Sequence, residues 1–328
     1  MKERELIEQI QRLVGIDSGE LLQGIGDDCA VISKTGNTVW LLTMDTLLEG
    51  VHFDRNLHPP EQLAEKSLAV NVSDIAAMGG KPLFVLLSLG LPRGFEEAWF
   101  ARFSSGLASA LADYGCLLIG GDTVASPGGV ALTLTVIGEA QASKVLYRSK
   151  ARIGDSIWVS GPLGLSAAGF ELLRTGRVTP PELQPLLDAH LRPRARTALG
   201  LQLAGSGLVH SMMDVSDGLA TDLAHLARAS GVGARIFADK LVLHPALKQA
   251  AEMLKKDPLH WMLQGGEDYE LLFTAAAENS DQLVQIAAGS GLCLFTVGTV
   301  VSGSGVTLVG TDMHESPVSY QGFDHFSD

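Results

Sequence analysis

The sequence predicts two α+β domains, and three observations carry that expectation. The chain has 328 residues, enough for two domains of common size. Strand-like and helix-like segments are mixed along it without strict alternation. A polar, basic segment from Gly138 to Asp155, with Lys144, Arg148, Lys150 and Arg152, interrupts the apolar patterning. The boundary is placed there, giving domains of residues 1–140 and 141–328.

Taken in order, residues 2–14 read as an amphipathic helix. Val39 to Met44 is a strand entering Asp45. Glu61 to Met78 is helical, with Gly79-Gly80 as its C-cap signal. Lys81-Pro82 opens a strand over Leu83 to Leu89. Phe95 to Asp113 is a helix, and Cys116 to Ile119 a strand ending at Gly120-Gly121-Asp122. Val130 to Ile137 is a strand with alternating Thr133 and Thr135. Ile157 to Val159 restarts strand structure. Leu165 to Leu173 and Ala195 to Leu203 are helices joined by a Pro-rich stretch. Asp217 to Ala229 is a helix, Ala234 to Phe237 a strand, and Ala246 to Lys255 a helix. Strands Tyr269 to Thr274 and Leu294 to Val300 flank a helix over Glu278 to Ala288.

Composition narrows the function. The chain is 46% hydrophobic and 19% charged, with a formal net charge of −13. No basic patch of the kind nucleic-acid binding needs is visible. Cys29, Cys116 and Cys293 are too few and too scattered for a disulfide framework or a zinc site; all three read as small buried hydrophobes. The N-terminus lacks the apolar core of a signal peptide. The longest apolar runs, such as Pro82 to Leu91, are too short to span a bilayer. A cytoplasmic protein without membrane or nucleic-acid partners is expected. The mean hydropathy of +0.21 calls for an extensive core or an oligomer interface.

Against that background, aspartates recur in short Gly/Ser/Thr-flanked turns: Gly24-Ile25-Gly26-Asp27-Asp28, Thr43-Met44-Asp45-Thr46, Asn71-Val72-Ser73-Asp74, Gly120-Gly121-Asp122-Thr123 and Asp214-Val215-Ser216-Asp217-Gly218. Most interrupt apolar sequence, where an unpaired carboxylate is costly. A shared cluster of hard cations would neutralise them. Mg²⁺ prefers carboxylate oxygens and commonly brings substrate phosphates, so a metal-dependent enzyme of phosphate chemistry is the first expectation. No Walker-type loop and no dinucleotide Gly-x-Gly-x-x-Gly follows a strand, so metals and scattered donors would have to hold a nucleotide.

Each motif has a plainer alternative. The Gly24 to Asp28 segment, expected between a helix and a strand, suits close backbone approach or an ordinary turn. Asp45, with Thr43 on the same face of its strand, suits a metal or merely starts a loop. His52 is a loop histidine, a type more often solvated than functional. Asn71 and Asp74 lie three apart on a helix apolar on nearly every face; a buried Asp there needs a base or a metal, and Lys66 is outside i,i+3/i+4 reach of Asp74. Ser216 or Asp217 could cap the following helix, but Asp214 exceeds what capping requires. Gly265-Gly266-Glu267-Asp268-Tyr269-Glu270 reads as a loop or hairpin. Arg148 could clamp a phosphate or be a solvated linker charge.

The strings Gly24-Ile-Gly-Asp-Asp-Cys-Ala30, Thr43-Met-Asp-Thr-Leu-Leu-Glu-Gly-Val-His-Phe53, Ala69-Val-Asn-Val-Ser-Asp-Ile-Ala-Ala-Met-Gly79, Ile119-Gly-Gly-Asp-Thr123, Asp214-Val-Ser-Asp-Gly-Leu219, Gly265-Gly-Glu-Asp-Tyr-Glu-Leu271 and Gly322-Phe-Asp-His-Phe326 together resemble the thiamine-monophosphate kinase family. That family lies within the aminoimidazole ribonucleotide synthetase-like ATP-binding superfamily. The resemblance runs in order from about residue 20 to the C-terminus. It implies two α+β domains whose N-terminal sheets pair in a homodimer. It also implies ATP-dependent phosphorylation of thiamine monophosphate to thiamine diphosphate. Carried onto this chain, Asp28, Thr43, Asp45, Asp74, Asp122, Asp214 and Asp217 would hold several Mg²⁺ ions. Gly121, Asp122, Arg148 and Ser216 would contact ATP, and His52, Glu267 and Phe323 the thiamine phosphate. The attacking phosphate oxygen is already ionised, so no catalytic base is expected and transfer would be direct. Two rivals are another superfamily enzyme with a different acceptor, and a non-catalytic nucleotide sensor.

Overall fold

The computed structural model describes residues 3–14 and 18–318. Its first sheet takes six strands: β1 (Leu21–Gln23), β2 (Ala30–Ser33), β3 (Thr38–Leu48), β4 (Lys81–Pro92), β5 (Leu117–Ser126) and β6 (Ala131–Gln141), in the order β1-β2-β3-β6-β4-β5. Alternation builds this sheet. In β6, Leu132, Leu134 and Val136 turn to the core while Thr133 and Thr135 turn away. β4 and β5 run parallel; the other neighbours are antiparallel. The strand β5 at the edge is exposed along nearly its whole length, with Leu117 64% and Ile119 54% accessible.

Helix α1 (Glu3–Val14) is amphipathic, and its Ile7, Ile10 and Leu13 stay exposed. Helices α2 (Pro60–Ala77) and α3 (Glu97–Tyr114) pack against each other, and α2 lies on the first sheet. α2 is buried around most of its circumference, as its unbroken apolar sequence predicts. Its far end, Ala76 and Ala77, enters a second core with Trp158, Leu199, Leu203, Met212 and Phe273. There α2 meets α6 (Thr197–Ser206) so closely that a Cβ on Gly200 would sit 2.3 Å from the Ala76 carbonyl oxygen; only glycine fits.

The second sheet takes β7 (Ser156–Val159), β8 (Val209–Asp214), β9 (Gly233–Phe237), β10 (Leu271–Ala275), β11 (Phe295–Val301), β12 (Gly305–Val309) and β13 (Glu315–Pro317), in the order β13-β12-β9-β11-β7-β10-β8. Around it lie α4 (Leu165–Arg174), α5 (Gln184–Leu191), α7 (Leu219–Ser230), α8 (Pro245–Leu254), α9 (Pro258–Gln264) and α10 (Ser280–Gly289). None of the described helices is long and apolar enough to cross a membrane.

Several elements differ from expectation. Asp45 does not end its strand: β3 continues to Leu48 because Thr46, Leu47 and Leu48 still pair with β6. β5 likewise runs through Gly121-Asp122 to Ser126, paired with β4 as far as Pro92. Gly24 to Asp28 links β1 to β2 rather than a helix to a strand. The Pro-rich stretch folds into α5, its proline lying in the first turn, where no amide is lost. Cys29 and Cys116 are buried, but Cys293 is exposed in the loop before β11.

Candidate active site

Asp74 projects from α2, Asp214 closes β8, and Asp28 precedes β2. Among the described residues these three form the carboxylate group whose oxygens lie within 4.8 Å of one another. Asp28 and Asp214 are buried, and Asp74 is half-buried. Like charges held this close resist ionising together. Burial, with Asp28 adding to it, pushes Asp214 up to about 7, although the Ser73 hydroxyl donates to it at 2.5 Å. Burial and then Asp45, Asp214 and Asp28 push Asp74 well above the carboxylate range, opposed by the Thr43 hydroxyl at 2.5 Å. Burial also raises Asp45, whose amide N–H donates to Asn71 Oδ1 at 2.9 Å.

The donor set fits a hard divalent cation. All its atoms are oxygens. Asp28 Oδ2 is buried with no hydrogen-bond partner, which is the position a ligating oxygen takes. Among the described residues, protein cations compensate only one side of the cluster. Arg148 Nη2 donates to Asp28 Oδ1 at 2.7 Å, and the Arg148 amide N–H donates to the Asp27 carboxylate at 3.3 Å. Burial and then Asp28 push Asp27 up to about 7 in spite of Arg148. Burial favours loss of the Arg148 proton, but Asp28 and Asp27 outweigh it and hold the guanidinium charged.

The turn after Asp214 is shaped by a residue the motif reading passed over. Neither Ser216 nor Asp217 caps α7: the N-cap is Gly218, with φ of 107° and no side-chain bond. The buried Asp222 carboxylate instead accepts the N–H groups of Ser216, Asp217 and Gly218, each at 3.1 Å. A carboxylate from inside the helix thus reaches back to gather the amides of the turn before it.

The Gly265 to Glu270 segment is a loop between α9 and β10, fastened to that turn. Glu267 N–H donates to the Ser216 carbonyl at 2.7 Å and Tyr269 N–H to the Val215 carbonyl at 2.8 Å. Both residues are left-handed, with φ of 66° and 51°, a conformation that persists only where the surroundings enforce it. Here Asp268 accepts the Gly164 and Ser166 N–H groups at 2.6 and 3.2 Å. Glu270 is gripped by Arg196 and by Ser160, the latter at 2.5 Å. Burial, and then Glu267, Asp45, Asp214 and Asp74, keep the Tyr269 phenol protonated.

Of the residues singled out from sequence, Asp28, Thr43, Asp45, Asp74, Arg148 and Asp214 therefore gather around one centre. Asn71 does not join Asp74 as a ligand; its carbonyl oxygen orients Asp45 and its amide donates to Ser67 O at 3.1 Å. Asp122 is exposed on β5, outside the three-carboxylate group, and accepts the Thr123 N–H at 2.9 Å. At Gly121 a Cβ would lie 1.8 Å from the Leu87 carbonyl oxygen; this glycine serves strand packing. His52, half-buried in the loop after β3, accepts the Leu48 N–H at Nδ1 at 3.0 Å. Ser216 and Asp217 are half-buried on the Asp222-held turn. Glu267 meets Lys66 at 2.8 Å and His190 at 3.2 Å. Phe323 lies outside the described residues. Sequence reading gives no role to Ser73 or Lys66 and does not single out Asp222 or His190. Lys66, a charge within an apolar helix, was the signal available.

The chain matches the AIR synthase related protein families: the N-terminal domain over residues 26–140 and the C-terminal domain over residues 152–311. It is 38% identical to the thiamine-monophosphate kinase of Escherichia coli K12, over 93% of this chain and 92% of that one. It superposes on the solved structure of AaThiL complexed with AMPPCP and TMP with a TM-score of 0.87, 36% identity, and coverage of 99% and 97% of the two chains. The thiamine-monophosphate kinase structure from Stenotrophomonas maltophilia gives a TM-score of 0.78 at 36% identity, covering 95% of this chain and 96% of that one.

Proposed function

From the premise that this chain belongs to the thiamine-monophosphate kinase family, we propose that it transfers the γ-phosphoryl group of ATP to thiamine monophosphate, yielding thiamine diphosphate and ADP. The observation that carries this reading is the convergence of Asp28, Asp74 and Asp214 beside Arg148, in a chain of the same fold and length as its kinase relatives.

The obstacle to the reaction is repulsion between two anionic phosphates, not a shortage of nucleophilicity. The acceptor oxygen is ionised near neutral pH, so no side chain need remove a proton. Magnesium, when bound, would screen the phosphate charge; Asp28, Asp74 and Asp214 would hold it with Thr43 and Asp45 alongside, and Asp122 and Asp217 would complete a set of several ions. Arg148 keeps its charge within this acidic setting, and its Nε has no hydrogen-bond acceptor among the described residues. It is the group that would meet an ATP phosphate, and Ser216, Gly121 and Asp122 would contact the nucleotide with it. His52, Glu267 and Phe323 would hold the thiamine end. Fixing both phosphates in line supplies the rate, and the transfer is direct.

The exposed apolar edge of the first sheet supports a homodimer in which two such sheets pair, since unpaired apolar edges invite association. The domains divide near residue 140, and the enzyme works in the cytoplasm. Incubation with γ-labelled ATP and thiamine monophosphate tests the transfer. Label is expected in thiamine diphosphate, and label trapped on protein during turnover would contradict direct transfer.

A further inference from the structure

We propose that Lys66 and His190 are positioning residues that fix the Glu267 carboxylate to receive the cationic thiamine end of the substrate. The inference rests on the reading above, in which Glu267 lines that pocket.

Lys66 is 0% exposed on α2 and places Nζ 2.8 Å from Glu267 Oε1. His190, on α5, places Nδ1 3.2 Å from Glu267 Oε2. Each carboxylate oxygen thus has its own partner, so the group cannot rotate about its terminal bond without losing one. His190 is itself held. The ring of Phe170 lies 5.1 Å from it and that of His58 6.1 Å, and Ser166 Oγ is 3.3 Å from Nδ1. His58 in turn bonds the Leu191 carbonyl at 2.8 Å.

Exposure rises in one direction through this group. Side-chain accessibility is 0% at Lys66, 7% at His190 and 28% at Glu267. The Glu267 side chain is the member that reaches the open side, and the two partners of its carboxylate are buried behind it. Burial favours the protonated form of Glu267, but Lys66 and then His190 outweigh it and keep the carboxyl well below its usual range. Burial, and then Lys66, disfavour protonation of His190, and Glu267 opposes them.

Placement along the helix agrees with this role. Lys66 precedes Asp74 by two turns, about 12 Å of α-helix. A substrate extended along α2 with its phosphate at the Asp74 cluster would bring its rings to Glu267. A plain latch between α2 and the 265–270 loop would need Lys66 and a buried acid. It would need neither a second polar partner on the other oxygen nor a side chain that reaches the open side.

Steady-state kinetics of the full chain separate these two roles. Lys66→Met should raise the KM for thiamine monophosphate about tenfold or more while leaving the KM for ATP within about twofold. His190→Leu should act in the same direction, less strongly, and Lys66→Arg and His190→Gln should recover part of the loss. A folded Lys66→Met enzyme with a lowered Tm but an unchanged KM for thiamine monophosphate would overturn the proposal and leave only the latch. Should Lys66→Met fail to fold, His190→Leu decides on the same readout. Absence of thiamine-monophosphate-dependent ADP release in the unaltered enzyme would overturn the functional reading first, and this inference with it.

Discussion

Ser73 Oγ lies 2.5 Å from Asp214 Oδ2, tying helix α2 beside the first sheet to strand β8 of the second. The neighbouring residue on α2, Asp74, is bonded back to Thr43 on β3. The metal-type cluster is therefore assembled across the junction of the two sheets, and neither half contains it alone.

Asp74→Asn should separate catalysis from folding. Its carboxyl is pushed up by burial and by its acidic neighbours, so the fold bears a cost from it that the amide removes. The metal-free variant should keep or gain thermal stability while kcat falls by about 10²-fold or more. A variant with wild-type turnover would remove Asp74 from the cluster.

Metal binding should depend on pH with a definite sign. Asp214 and Asp27 titrate near 7 in the folded protein. Below that value they hold protons that a bound cation must displace; above it they do not. Mg²⁺ affinity for the substrate-free protein should rise from pH 6 to pH 8, with proton release at pH 6. Titration calorimetry in buffers of different ionisation heat reads both effects. The same raised values mean that these two groups contribute stability at low pH. They bind protons in the folded state that the unfolded chain has lost, so their contribution falls as pH rises from 3.8 to about 7.

Arg148→Ala leaves the buried Asp28 carboxylate without its cation. Breaking a pair of this kind costs about 3 kcal/mol. Added Mg²⁺ should restore part of that stability by supplying the missing charge. Thermal unfolding with and without the ion measures it; a loss that magnesium does not touch would place Arg148 away from the ion.

Asp222→Ala orphans three amides at the turn carrying Ser216 and Asp217. We expect a loss of about 2 kcal/mol and weaker activation by magnesium, both largely rescued by Asp222→Asn, which keeps an acceptor oxygen. Equal effects from the two variants would show that the charge, not the acceptor, matters.

Ile119→Glu sets a charge on the exposed edge of β5. Sedimentation should then show a monomer where the unaltered chain shows a dimer. A dimer that survives the change would move the interface elsewhere.

Much of the site could be read from sequence because the physics was local. Asp74 in an apolar helix announces a carboxylate that needs an outside partner, and the turns at Asp28 and Asp214 interrupt apolar runs in the same way. What escaped depends on long-range placement. Asp45 and Asp122 read as strand ends because polar residues follow apolar ones, yet pairing with β6 and β4 carries both strands past them. Lys66 has no counter-charge three or four residues away on its own helix; its partner Glu267 arrives from a distant loop. Asp222 looked like an ordinary helix residue until the preceding turn folded back over it.

The most direct test of this account is ADP release from Mg·ATP with and without thiamine monophosphate, with the product identified by mass. We expect release that depends on thiamine monophosphate and a product with the mass of thiamine diphosphate. ATP binding without such turnover would contradict the kinase reading and favour a nucleotide sensor or another acceptor.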